Sequence, residues 1–149
     1  MKNRPLPVLF VSIVLPLVSV AAAGTASAKS EIKGAAILDH PCGKVAVKQM
    51  GFAHAGNIEE ANKLSTREMQ DQWKAMPEKD RTVMSGMMKE MSPTEAQFSA
   101  DIKSNGVLVV NGPSANLTVK KFSKDKSATS TETMTQSFRI DGSRCVVSH

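Results

Sequence analysis

The segment RTVMSGMMKEMS, residues 81–92, holds Met84, Met87, Met88 and Met91 within eight positions. Thioether sulfur is neutral and polarizable, so such a cluster has the right chemistry for a soft cation such as Cu(I). The same side chains also fill irregular apolar space well. Their spacing of i, i+3, i+4 and i+7 places all four on one face of a helix, as core packing requires. Arg81, Ser85, Lys89 and Glu90 fall outside that face, and no HxxH, CxxC or His-Met run accompanies it. Packing, in the core or in an adaptable partner groove, is therefore the expectation, with copper handling as a remote alternative, and neither a cofactor nor a metal ligand is assigned.

The other reactive residue types are sparse. Of three histidines, His40 lies at a helix entry and His149 is the last residue. His54 shares an apolar face with Met50 and Ala53, where its ring is expected to find a backbone partner near the helix end. A polar role at the mouth of a pocket is the alternative. No Ser-His-Asp or Cys-His signature is present, so no catalytic residue is assigned and the chain is read as a non-enzyme. Trp73, with Met69 and Met76, forms a further apolar stripe, either core or pocket wall. Together these give a candidate pocket of Met50, Phe52, His54, Trp73, Met84, Met87 and Met88. The run VKKFSKDKS carries Lys120, Lys121, Lys124 and Lys126. Such a run discourages strand-to-strand aggregation, or offers a contact patch to an acidic partner protein.

The N-terminus reads as an export signal. Lys2 and Arg4 precede an apolar stretch, Leu6 to Val20, interrupted by Pro7 and Pro16, and Ala26-Ser27-Ala28 supplies small residues for cleavage. The stretch is too short and broken for a straight bilayer-spanning helix, and no cysteine at the junction suggests a lipid anchor. Cleavage after about Ala28 would leave residues 29–149 as a single periplasmic domain, without a stable membrane anchor. Removing the two leader bases from 19 leaves 17 against 14 acids, a net charge of +3. That mild excess, with no Tyr and a single Trp, argues against nucleic acid as a partner. In an oxidising compartment the two cysteines, Cys42 and Cys145, are expected to form a disulfide.

Two periodicities divide the exported part. Asp39 and Pro41 signal a helix start, and Gly56-Asn57 a stop. NIEEANKLS predicts a short helix, and STRE a capping box from Ser65 to Glu68. Pro77 restarts the chain into the methionine helix, so helices are expected over about 40–91. From FSADIKS onward alternation predicts strands over about 97–149, with SNG, Asn111-Gly112 and Asp141-Gly142 as turns. Asp101, alternating with the apolar set, is expected to point away from the core. Helices followed by an antiparallel meander define an α+β fold.

Helix, Gly56-Asn57, short helix, helix pair and a meander ending in FRIDGSRCVVSH resemble the nuclear transport factor 2-like superfamily. The likeness is closest to its small exported bacterial members of unassigned function, and covers about residues 37–149. It implies a cone in which N-terminal helices pack in the concave face of a curved sheet, often with a pocket and often as a homodimer. Cys145 stands near a position where such proteins often carry Trp, so a disulfide from Cys42 would fasten the first helix to the last strand. Members with isomerase chemistry use Tyr beside acidic groups, and this chain has no Tyr. The expected role is binding: most specifically an immunity or inhibitor protein against an exported toxin, alternatively a carrier of a small apolar ligand.

Overall fold

The computed structural model describes residues 28–122 and 131–149. The expected leader, apart from Ala28, and Lys124 and Lys126 therefore lie outside the described residues. The chain starts with strand β1 (Ser30–Lys33) and a 3-10 helix (Gly34–Asp39). Five helices follow: α1 (Pro41–His54), α2 (Ile58–Lys63), α3 (Arg67–Ala75), α4 (Glu78–Met91) and α5 (Glu95–Asn105). Strands β2 (Gly106–Asn111), β3 (Ser114–Phe122), β4 (Thr131–Asp141) and β5 (Arg144–Ser148) complete it. All five strands form one open antiparallel sheet in the order β1-β2-β3-β4-β5. The fold class is α+β.

Two elements depart from expectation. FSADIKS is not a strand: it lies in α5, and the strands after the helices begin at Gly106. Phe98 and Ile102, both buried, are four residues apart, a separation that fits one helix face as well as one strand face. The deciding signal is local. Thr94 Oγ1 accepts from the Gln97 N–H at 3.1 Å, and Gln97 Oε1 accepts from the Thr94 N–H at 3.1 Å, a reciprocal capping box directly after Pro93. Asp101 accordingly sits half-buried on a helix, not on a strand. The second departure is β1, whose four residues are too few to show a period; they pair with β2, Ile32 lying opposite Leu108.

Helix boundaries elsewhere follow the punctuation, with two changes of cap. Pro41 occupies the first turn of α1, but His40, not Asp39, is its N-cap, with Nδ1 accepting from the Cys42 N–H at 3.2 Å. Gly56, with φ of 76°, supplies the left-handed residue that turns the chain out of α1. The expected Ser65–Glu68 box does not form, because Ser65 is buried and Thr66 is the N-cap of α3. Ser65 instead bridges to Val147 in parallel, with the Thr66 N–H donating to Val147 O at 2.8 Å and the Val147 N–H to Leu64 O at 2.9 Å. These bonds cover the outer edge of β5, which would otherwise present unpaired backbone.

The core lies between one sheet face and the pair α1 and α5. Phe98 and Ile102 from α5, Ala46 and Cys42 from α1, and Ile37 pack on Leu108, Leu117, Val119, Phe138 and Val147. Burying each large side chain of this kind contributes about 1.5–3 kcal/mol. The alternate strand positions Asn116, Lys120, Thr135 and Arg139 are exposed, so the opposite face is polar over β3 and β4, with Val107, Val109 and Val146 half-buried on it over β2 and β5. Gly43 permits the tight seam between the 3-10 helix and α1: a Cβ there would stand 1.9 Å from the Ile37 carbonyl oxygen. Cys42 and Cys145 form the disulfide, joining the first turn of α1 to β5 across 103 positions of sequence.

Candidate functional site

Helix α4 contributes no buried residue to the fold. Met84, Met87, Met88 and Met91 are 40, 55, 37 and 72 % exposed, and Val83 is 56 % exposed. The expectation that these methionines are core filler is thus overturned. Their spacing does put them on one face of a helix, but α1 and α5 already cover the sheet. Once 95–105 is a helix, the layer that the methionine helix was expected to fill is taken, and α4 rests against α1 with its apolar face largely open.

That face forms one wall of a groove of about 380 Å³, completed by Met50 from α1, Ser92-Pro93, and Glu132, Thr133 and Met134 from β4. Beside it lies a second cleft of about 220 Å³, walled by Trp73, Met69, Met76 and Ile58, with Gln49 and Ser65 among its polar groups. Met84 and Met88 line both. The two apolar hollows therefore share the thioether face of α4.

Polar contacts hold α4 in place. Trp73 Nε1 donates to Glu59 Oε1 at 3.2 Å, and Arg81 Nη1 stands 3.9 Å from the same oxygen, linking α3, α2 and α4. His54 Nδ1 pairs with the Ser92 carbonyl at 2.9 Å, tying the end of α1 to the end of α4. Beneath the second cleft, Gln136 Nε2 donates to Gln49 Oε1, whose Nε2 donates to Ser65 Oγ at 3.3 Å. Gln136 Oε1 is buried without a partner.

The candidate pocket residues divide accordingly. Met50, Met84, Met87 and Met88 line the larger groove, and Trp73, Met84 and Met88 the smaller cleft. His54 and Phe52 line neither. His54 is exposed and engaged with Ser92, and Phe52 is half-buried with Lys48 Nζ 5.6 Å from its ring centroid. Met91 and Met134 belong to the groove but not to the candidate set. Met91 carried the signal, being on the same helical stripe, whereas only the tertiary fold brings Met134 of β4 opposite it. Of the lysine run, Lys120 is exposed on the polar sheet face and Lys121 belongs to β3.

Among the described residues, no three or more His, Cys, Asp or Glu side chains gather where they could hold a metal ion. Burial lowers the His40 pKa below its ordinary value, but its acceptor nitrogen is used in capping α1. The arrangement offers soft, deformable apolar surface. Comparison with protein families, with curated proteins and with solved structures returned no match to this chain.

Proposed function

We propose that the protein is an exported, non-enzymatic binding module whose methionine groove receives apolar side chains from a segment of another protein. The observation that carries this reading is α4, where Val83, Met84, Met87, Met88 and Met91 remain 37–72 % exposed beside a core complete without them. Contiguous exposed apolar surface marks interaction sites, and methionine surfaces repack around different partners because the side chain has three soft torsions. The groove, not the lysine run, is the contact surface in this proposal. Its most specific form is an immunity or inhibitor protein acting in the periplasm on an exported toxin, after cleavage of the leader. The helices over one sheet face are in keeping with a nuclear transport factor 2-like cone, and the homodimer common to such cones belongs to the same proposal.

A photo-crosslinking side chain at position 87, compared with one at position 116 on the polar sheet face, tests the assignment. A discrete protein adduct from position 87, abolished by Met88→Glu, is expected. Equal adducts from both positions, or from 116 alone, would overturn it. The cleft of about 220 Å³ beside Trp73 favours a second reading, a small apolar ligand. Trp fluorescence that stays constant across a panel of fatty acids and other hydrophobic acids would dismiss that reading.

A further inference from the structure

The methionines are segregated in a way that apolar packing does not require. Nine are present, and the eight beyond Met1 all line one of the two hollows beside α4. None is in the buried core, which is built from Ile, Leu, Val, Phe, Ala, Trp and the disulfide. Leucine has similar helix propensity and is ordinarily among the commonest residues. Yet from residue 29 onward there are only four, Leu38, Leu64, Leu108 and Leu117, half the number of methionines. An apolar groove can be made from either residue type. Methionine adds flexibility and, what no hydrocarbon side chain offers, a sulfur lone pair.

We propose that the larger groove is a thioether site for a soft monovalent cation, Cu(I). Six sulfur-bearing side chains line it: Met50 from α1, Met84, Met87, Met88 and Met91 from α4, and Met134 from β4. Neighbours at i, i+3 and i+4 on a helix have Cβ atoms about 5–6 Å apart. The flexible side chains beyond Cβ let three sulfurs close on one ion, with Met50 or Met134 approaching from across the groove. Neutral thioethers leave the ion's single positive charge in place, and Glu132 at the groove wall faces it with a negative one. Soft ligands select Cu(I) over Zn(II) and the hard divalent cations, which lack a His, Cys or carboxylate cluster among the described residues.

The site is independent of the protein-partner proposal, and leucine substitution separates the two. The exported chain is titrated anaerobically with Cu(I) against bicinchoninate, and with Ag(I) while the methionine methyl resonances are followed by NMR. Retention of Cu(I), shifts at the groove methionines, and an affinity flat between about pH 5 and 8 are expected, because thioethers do not take up protons. Met84→Leu/Met88→Leu/Met91→Leu should lower the Cu(I) affinity by more than about a hundredfold, beyond the usual effect of losing outer-shell partners. The same variant should keep its thermal midpoint and its crosslinked partner, since the surface remains apolar. Failure to retain Cu(I) against bicinchoninate, equal affinity in the leucine variant, or equally tight Zn(II) binding would overturn the metal site. Loss of the partner alone from the leucine variant would count against the partner reading and leave the metal site standing.

Discussion

The Cys42–Cys145 bridge carries a large stability prediction. It closes a loop spanning 103 positions, most of the described chain. Loop closure of about 100 residues removes chain entropy from the unfolded state worth about 4.7 kcal/mol at 25 °C. Domains of this size are stable by about 5–15 kcal/mol in total, so the bridge accounts for a third or more of the margin. An unfolding entropy of about 2.1 cal/mol/K per residue over some 120 residues converts this to a fall in Tm of roughly 15–20 °C. The perturbation is Cys42→Ala/Cys145→Ala, chosen because both sulfurs are buried and alanine introduces no unpaired hydroxyl. Urea and thermal unfolding followed by circular dichroism supply the measurement, with thiol titration of the native chain as control. Two titratable thiols in the native protein, or a loss under about 2 kcal/mol, would refute the reasoning. The bridge also anchors the first turn of α1, the helix that brings Met50 to the groove and His54 to the Ser92 carbonyl at the end of α4, so the variant should loosen α4 as well.

Four further outcomes follow from local geometry. His40 caps α1 only while its Nδ1 is unprotonated, and burial lowers its folded pKa below the usual 6.5. The contribution is therefore fully present above pH 6.5 and declines as pH falls through the unfolded value toward the folded one, by about 1 kcal/mol for a lost cap. His40→Asn should remove that slope from unfolding curves between about pH 7 and 5. Gly43→Ala should cost about 3 kcal/mol or more, because its Cβ meets the Ile37 backbone. Gly86→Ala, on exposed α4 with open space around it, should stabilise by roughly 0.5–1 kcal/mol in the same assay. Met84→Lys/Met91→Lys should change stability by less than about 0.5 kcal/mol, since neither side chain supports the core, while abolishing the crosslink from position 87.

Legibility in the sequence tracked how local each cause is. Pro41, Gly56, Pro77 and Asp141-Gly142 act through their own backbone, and the elements break where they stand. The alternation of Leu117 and Val119, and of Met134, Gln136, Phe138 and Ile140, correctly gave the inner sheet face because strand period is a local property. The methionine stripe shows the limit. Its period defines one helix face, but whether that face meets a sheet or a groove depends on which other helix reaches the sheet first. That helix is α5, hidden because Phe98, Ala100 and Ile102 alternate while the i, i+4 pair and the Thr94–Gln97 box favour a helix. β1 was illegible for a different reason: four residues gain their identity from β2, some 75 positions away. The groove itself unites α1, α4 and β4, so Met134 could not be assigned to it before the fold was known.

Oxidative footprinting tests most directly whether the thioether face is the working surface. Purified protein and intact cells are treated briefly with hydrogen peroxide, and methionine sulfoxide is mapped by peptide mass spectrometry. In the purified chain Met87 and Met91, the most exposed, should react fastest, followed by Met84 and Met88. In cells, where the partner is present, all four should be protected relative to that rate. Slow oxidation of these residues in the purified protein, or identical rates in both settings, would contradict the account.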